Sequence, residues 1–396
     1  MTTMAGTGQL PLFTYGFRTF FVAAGLSALI LIPLWAIGFG FQWPLNTDWP
    51  PAAWHGHEML FGFVCAAIAG FLLTAVPSWT GQKGFGGAPL MLMAAVWLLG
   101  RLLVGSSAVW PFVAVAVADL AFLAVLALFL APPLLRERNR NTPLLAVLLL
   151  LWLCNAGFHL GLWRGDALLS RQTLLAGINL VLILVTVVAG RMLPPVTTAA
   201  LRQQGTNQVV RPSRSLTPSA VTFMIAVAVV DLIRPNGLIA GGIALAAAIA
   251  QGLRIAQWQG YRVLRHPLVW VLHLAYVWLP IGLLLKALAL LTGVAAATHW
   301  LHALTIGAIA TMILGVMTRV TLGHTGHRLQ ALPRTPLAYG LLTAAALLRV
   351  FGTALPWISY PALIAMSAAL WTAGFGLFLR IYGPLLLAPR ADGKRG

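Results

Sequence analysis

Twelve apolar stretches, each near the length that crosses a lipid bilayer, constrain this chain more than any other feature. A transmembrane helix needs about 20 predominantly apolar residues, because the hydrocarbon layer is about 30 Å thick. Hydrophobic residues make up 60% of the 396 residues and charged residues only 8%. No soluble domain can bury that much apolar surface. The sequence therefore predicts an all-α, polytopic membrane protein, with one transmembrane domain over residues 1–396.

Short polar connections separate the apolar stretches. Two of the stretches are separated only by Arg234-Pro235-Asn236-Gly237, so one long hydrophobic hairpin in their place would reduce the number of spans to eleven. The longest inner connection, about 193–216, contains several prolines and is expected to be a connector or a lid. The spans are predicted near 17–39, 57–77, 88–105, 109–131, 143–163, 172–192, 217–235, 237–256, 267–291, 299–320, 336–354 and 358–381.

The distribution of positive charge predicts how the spans are oriented. With the N-terminus in the cytoplasm, only six of the 25 lysine and arginine residues fall in the outer half, and the others fall in inner loops and inner helix ends. Cytoplasmic loops of membrane proteins carry an excess of Lys and Arg, so both termini are expected to be cytoplasmic. Dispersal of this charge over short loops argues against nucleic acid as a partner. The six outer residues are Arg101, Arg164, Arg171, Arg234, Lys286 and Arg349.

One sequence pattern, H-x4-G-x7-G-x9-T-G, occurs twice without a gap. In each copy a histidine opens an apolar run and Thr-Gly follows its far end. The glycines either let neighbouring helices approach closely or leave room for a flat macrocycle. Imidazole is the commonest protein metal ligand, so the two histidines suggest an intramembrane cofactor held from both sides. The copies are His57, Gly62, Gly70 and Thr80-Gly81, and His302, Gly307, Gly315 and Thr325-Gly326.

A related turn ends the sixth predicted span. Gly190-Arg191-Met192 in that span resembles Gly315-Val316-Met317 in the tenth. The second, sixth and tenth spans lie four apart in the chain, which suggests three four-helix units around a pseudo-threefold axis.

The nine histidines fall into two groups on this topology. Five lie at outer helix ends and four lie on the inner side, which favours two metal or cofactor sites. The alternative for any single histidine is a place in the headgroup region. The outer group is His55, His57, His159, His299 and His302, and the inner group is His266, His273, His324 and His327.

Spacing separates the members of the outer group further. His299 and His302 are three residues apart and share one helix face. His55 and His57 are two residues apart and would point about 200° apart on a regular helix. These two histidines could therefore serve different sites, or His55 could lie in the preceding loop.

Two of the seven acidic residues fall where a charge is expensive. Glu58 follows His57 directly and is either a carboxylate that orients a ligand or carries protons beside bound metal, or a solvated residue at a helix start. Asp119 lies in the middle of the fourth span and needs an arginine, a histidine or water as its partner.

Several motifs, in the same order along the chain, resemble the signature of the NnrS family. The resemblance covers nearly the whole chain, although His327 stands where the family pattern has arginine. Members are bacterial inner-membrane proteins described as haem- and copper-containing and associated with denitrification and the response to nitric oxide. The motifs are Trp54-His55-Gly56-His57-Glu58-Met59 to Phe71-Leu72-Leu73-Thr74, Trp79-Thr80-Gly81, Gly190-Arg191-Met192-Leu193-Pro194-Pro195, Gly315-Val316-Met317-Thr318-Arg319 and Leu322-Gly323-His324-Thr325-Gly326.

The resemblance implies haem and copper as cofactors. The chain has no C-x-x-C-H motif, so the haem would be a non-covalent haem b. Arg side chains match the carboxylates of haem propionates, although we favour a topological or snorkelling role for Arg101. The expected haem and copper ligands are His55, His57, His159, His299 and His302 on the outer side. The expected ligands of a second centre are His273 and His324, with His266 and His327 as further candidates. The expected propionate partners are Arg191, Arg319 and Arg349.

Two classes of function are compatible with these expectations. The first is reductive detoxification of nitric oxide by an oxidoreductase of the nitric-oxide reductase type, with Glu58 as the catalytic proton carrier and a quinol or a periplasmic redox protein as electron donor. The second is a non-catalytic haem protein for nitric-oxide tolerance, electron transfer or metal handling. The twelve spans are also similar to the catalytic subunit of haem–copper oxidases, which is an analogy of architecture alone.

Overall fold

The computed structural model describes residues 10–40, 46–137, 141–294 and 297–393. Within these ranges the chain forms twelve helices that are long and apolar enough to cross a membrane, and it forms no strand, which confirms the predicted fold class. Four of the positive residues that were assigned to the inner side lie outside the described residues. These are Arg138, Arg140, Lys394 and Arg395.

Each predicted span overlaps one helix of the structure. The helices before and after Gly237 are separate, and the positive φ of 105° at Gly237 is one that favours glycine. The helices are α1 (Gly16–Gly40), α2 (Pro51–Thr80), α3 (Ala88–Gly105), α4 (Phe112–Arg136), α5 (Pro143–Arg164), α6 (Ala167–Gln203), α7 (Leu216–Ile233), α8 (Leu238–Gln257), α9 (Pro267–Thr292), α10 (Trp300–His324), α11 (Thr335–Ala354) and α12 (Tyr360–Leu387).

Helix α6 is longer than the sequence predicted. Proline lacks the N–H that continues a helix, so the sequence favoured a stop before Pro194-Pro195. The helix instead continues through both prolines and ends at Gln203. Thr197 and Leu201 on this last part are buried, so packing stabilises it. The prediction of a connector over 193–216 is therefore wrong in its first half.

Helices that are consecutive in the chain pack against one another, and α1 also packs against α12, so the bundle closes on itself. The most enclosed spans are α2 and α10, in which 83% and 67% of the apolar window is buried. Helix α6 contacts both. The three helices that carry the related motifs therefore meet inside the bundle, and the threefold arrangement of four-helix units stays a prediction.

The repeated sequence pattern corresponds to a repeated backbone structure. Helix α2 changes to π geometry over Glu58–Val64, and α10 does so over Ala303–Ala310. In both helices the π segment begins directly after the repeated histidine, His57 or His302. Segments of π-helix are rare and occur frequently at functional sites. The shared position indicates that the two copies are equivalent structural units.

The two copies also end alike. The hydroxyl groups of Thr80 and Thr325 each donate a hydrogen bond to the carbonyl four residues earlier, at 2.9 and 2.7 Å. The following residues, Gly81 and Gly326, have positive φ angles of 65° and 79°. Only glycine adopts this conformation at no steric cost, which explains the Thr-Gly ending of each copy.

Helix packing accounts for the glycines inside the repeats. A Cβ atom at Gly70 would lie 2.7 Å from the ring of Phe21, and one at Gly307 would lie 2.5 Å from the indole of Trp278. Side chains of α1 and α9 therefore fill the space beside these two glycines, and the sequence-based suggestion that the glycines leave room for a flat macrocycle does not apply to them.

Gly190 provides a test of such close packing. A Cβ atom there would lie 1.8 Å from the guanidinium of Arg254. We expect Gly190→Ala to displace Arg254 and to lower the stability by about 1–3 kcal/mol, the usual cost of overpacking. Gly242→Ala is the control, since a Cβ at Gly242 meets no atom within 4 Å. Thermal unfolding in detergent measures both, and equal midpoints would contradict the account.

Candidate functional site

His57 lies at the centre of a buried polar network at the end of the bundle opposite to the start of α1, which is called the outer end after the predicted topology. Its side chain is 0% exposed. Its Nδ1 atom lies 3.1 Å from Oε1 of Glu58, and its Nε2 atom lies 3.0 Å from both Oδ2 of Asp119 and Oδ1 of Asn155. His159 also approaches Asp119, with its Nε2 atom 2.9 Å from Oδ2. These residues and Arg101 are called the His57 cluster below.

Arg101 joins the two carboxylates of the cluster. One guanidinium nitrogen donates to Glu58 and another donates to Oδ1 of Asp119. This contact corrects the interpretation of Arg101 as a snorkelling residue. It also supplies the partner that Asp119, in the middle of α4, required.

The π segment of α2 positions these contacts. A Cβ atom at Gly62 would lie 3.3 Å from both Cδ of Arg101 and Oε2 of Glu58, so glycine lets the arginine lie close against α2. The indole of Trp97 donates a hydrogen bond of 3.2 Å to the carbonyl of Gly62. Helix α3 therefore supplies the π segment with the charge of Arg101 and with a hydrogen bond from the Trp97 side chain to its backbone.

The cluster has more negative than positive charge. It contains the two carboxylates of Glu58 and Asp119 and one guanidinium, which leaves one negative charge when both imidazoles are neutral. An uncompensated charge at membrane depth is costly. A bound proton or a metal cation restores neutrality. Both ring nitrogens of His57 face carboxylate oxygens, so a second proton on this ring would satisfy both contacts.

The same residues can hold a metal ion. Within the described ranges, one group of three His, Cys, Asp or Glu residues has its ligand atoms within 4.8 Å of one another, namely His57, Asp119 and His159. Imidazole suits copper, zinc, iron and nickel. The contact between Nδ1 of His57 and Glu58 orients the ring in the way that outer partners orient metal ligands. The donor set therefore fits a cation such as copper.

A cavity of 940 Å³, called the outer cavity, lies beside this cluster. Apolar side chains form most of its wall, and His55, His302 and Arg349 also line it. The ring of His55 stacks on Trp35 at 4.3 Å between centroids. Its Nδ1 atom is buried without a hydrogen-bond partner. An imidazole with a free nitrogen inside a cavity is suited to bind a ligand.

Arg349 is buried beside this cavity and lacks a carboxylate partner among the described residues. Its Nη2 atom donates to the hydroxyl of Tyr360 at 3.0 Å, and its Nη1 atom is buried without a partner.

The ring of His299 lies 6.5 Å from that of His302. Burial and the charge of Arg349 lower the pKa of His299. His299 therefore favours the neutral form that binds metals.

The structure thus divides four of the five outer histidines between two sites. His57 and His159 belong to the His57 cluster, whereas His55 and His302 line the outer cavity. Trp49 lies between the two sites, since it lines the cavity and its ring centroid is 5.0 Å from that of His57. The separation of His55 from His57 follows the different directions that their spacing predicted.

The inner histidines are not brought into one group. The Nε2 atom of His273 lies 2.8 Å from the hydroxyl of Thr197. His324 packs its ring against Phe17, with centroids 5.5 Å apart. The exposed His327 contacts Thr325. His266 is the residue before the first turn of α9.

The predicted inner arginines also lack a shared site. Arg191 is exposed and donates a hydrogen bond of 2.7 Å to Oδ1 of Asn141. Arg319 is half-buried on α10. Neither residue has a recorded contact with His273 or His324 in the described part of the chain.

A second buried ion pair, which the sequence did not predict, joins α7 and α9. Nζ of Lys286 lies 2.5 Å from both carboxylate oxygens of Asp231, and Asn179 donates to Oδ2 at 2.9 Å. This group is electrically neutral and its carboxylate is fully bonded. It therefore needs no further ion. Its signal in the sequence was one polar residue in each of three apolar spans, Asn179, Asp231 and Lys286.

The charge balance of the His57 cluster can be tested with a pair of substitutions. Arg101→Gln leaves two buried carboxylates without a guanidinium and is expected to destabilise the protein by about 3–5 kcal/mol. Arg101→Gln combined with Glu58→Gln restores the original net charge and should recover part of the loss. The midpoint of thermal unfolding is the measurement. A double variant less stable than Arg101→Gln alone would refute the charge argument.

Comparison with known proteins adds one match. The sequence matches the protein family described as NnrS protein over residues 11–390, nearly the whole chain. A search of curated proteins found no match. The matched range contains all of the His57 cluster and the outer cavity.

Proposed function

Because the chain belongs to the NnrS family, we propose that it is a haem- and copper-binding membrane protein that removes nitric oxide by reduction. The family links the chain to nitric oxide and, in general, to metal or haem binding. The observation that carries the proposal is the pairing of two unlike sites. A cavity with histidines and an uncompensated arginine lies beside a buried cluster that needs a cation.

The outer cavity fits a haem group. Its volume of 940 Å³ falls within the range of about 300–1,000 Å³ that is usual for ligand and cofactor sites. His55 and His302 would hold the haem, since both line the cavity. Arg349 and Tyr360 would hold a propionate, since the free Nη1 atom of Arg349 is a donor that lacks an acceptor.

The His57 cluster fits copper. Copper(I) carries one positive charge, which equals the excess negative charge of the cluster. The Nε2 atoms of His57 and His159 converge on one carboxylate oxygen of Asp119, and this places three donors around one point. Arg101 would hold the carboxylate in place through its other oxygen, Oδ1, and Asn155 donates to Oδ2 itself.

Reduction of nitric oxide needs two molecules of nitric oxide, two electrons and two protons, and it yields nitrous oxide and water. A haem held by both histidines would transfer electrons, whereas a copper ion with open geometry would offer positions for diatomic ligands. Glu58 would carry protons to this site, a role supported by its Oε2 atom, which is buried without a hydrogen-bond partner. The electrons would come from a quinol or a periplasmic redox protein.

One observation favours a non-catalytic role instead. The whole chain has only seven acidic residues, and proton paths through membranes usually use carboxylates. A haem protein that binds nitric oxide for tolerance, transfers electrons or handles metal would need no such path.

Metal analysis of purified variants tests the assignment of the two sites. His55→Ala and His302→Ala should each lower the haem content, whereas copper should remain. His159→Ala should lower the copper content and leave the haem spectrum close to that of the wild type. His327→Ala is the control for both, because its side chain is exposed outside either site. Full haem in the His55 and His302 variants would show that the ligands lie elsewhere.

Turnover of nitric oxide by the haem- and copper-loaded protein distinguishes the two functions. With an artificial electron donor, we expect steady consumption of nitric oxide at an electrode. Glu58→Asp keeps the charge but withdraws the carboxylate, so the rate should fall roughly tenfold or more at unchanged metal content. Binding of nitric oxide without turnover in the wild type would exclude the reductase and leave the non-catalytic role.

A further inference from the structure

A second large cavity lies at the end of the bundle where α1 begins and α12 ends, opposite to the His57 cluster. It has a volume of 1,310 Å³ and is bounded by α6, α7, α8 and the connection between α6 and α7. Its lining contains four arginines, Arg191, Arg202, Arg214 and Arg254, and no acidic residue. No histidine lines it, so it offers no axial ligand to a haem.

Arg254 lies at the base of this cavity and is 1% exposed. One guanidinium nitrogen donates to the carbonyl of Thr186 at 2.9 Å and to the hydroxyl of Tyr276 at 2.8 Å. The Nε atom is buried without a partner. None of the described acidic residues pairs with Arg254, so its charge is not neutralised within the chain.

Two other buried cations show how the protein compensates such charges elsewhere. Arg18 donates to three backbone carbonyls at the end of α12, which carry the negative end of the helix dipole. Lys286 is paired with Asp231. Arg254 has no acidic partner, and its contacts are one backbone carbonyl, that of Thr186, and the side chains of Tyr276 and Trp258. The hydroxyl group of Thr217, which also lines the cavity, is buried without a hydrogen-bond partner.

We propose that this cavity binds a phosphate group, with Arg254 at its base and Arg191, Arg202 and Arg214 around its mouth. Phosphate accepts several charge-assisted hydrogen bonds from arginine at once. Basic pockets between membrane helices bind the headgroups of anionic lipids. A soluble phosphate offers the same chemistry. The proposal is independent of nitric oxide, haem and copper.

The test measures thermal unfolding of the full-length protein in nonionic detergent. Phosphatidylglycerol, phosphatidylcholine and inorganic phosphate are added separately at constant ionic strength. The double variant Arg202→Gln/Arg214→Gln removes charge from the mouth of the cavity. Both residues are exposed, so their loss should not unfold the protein. Arg254→Gln removes the buried charge. Arg211→Gln is the matched control, since Arg211 is an exposed arginine of the same connection that does not line the cavity.

We expect phosphatidylglycerol to raise the unfolding midpoint of the wild type and of Arg211→Gln, and phosphatidylcholine to have no such effect. The double variant should bind phosphatidylglycerol roughly tenfold more weakly or worse, because two charge-assisted contacts are lost. If inorganic phosphate has the same selective effect, the occupant is a soluble phosphate. If neither anion stabilises the wild type, or if the double variant and Arg211→Gln respond alike, the proposal is wrong.

Discussion

A charge inside a lipid-embedded bundle is stable only where an opposite charge or enough hydrogen-bond partners lie against it, and the rest of this structure depends on that constraint. Three buried groups differ in how far the chain itself satisfies it. Asp231 and Lys286 form a neutral pair that is complete within the chain. The His57 cluster has one negative charge in excess, and Arg254 has a positive charge without an acidic partner among the described residues. The first group can be structural, whereas the second is suited to a cation and the third to an anion.

The repeat shows how one backbone unit can serve two purposes. His57 and His302 occupy the same position before a π segment, and both helices end in Thr-Gly. Their surroundings differ because the neighbouring helices differ. Helices α4 and α5 surround His57 with a carboxylate, an amide and a second imidazole, whereas His302 faces a cavity with Arg349. Equivalent positions therefore belong to two different surroundings, and a cofactor held between both histidines stays a prediction.

The sequence predicted the spans well because hydropathy reports directly which segments can lie in lipid. It also predicted Asp119 in the middle of a span, and it left Glu58 open between a functional carboxylate and a solvated residue at a helix start. It did not predict that Arg101 bridges them, because hydropathy gives the depth of a residue but not the direction in which its helix faces. The extension of α6 past Pro194-Pro195 was missed for a similar reason, because the tertiary packing that stabilises its last turns leaves no local signal in the sequence. Polar residues in the middle of apolar spans, such as Asn155, were the signal that could have located the partners.

The central claim is that iron and copper occupy two separate sites at the outer end of this bundle. Anomalous X-ray diffraction from crystals of the metal-loaded protein, collected at the iron and copper absorption edges, tests it most directly. The account predicts an iron peak in the outer cavity between His55 and His302, and a copper peak among His57, Asp119 and His159. Metal peaks beside His273 or His324, with none at the outer end, would contradict it.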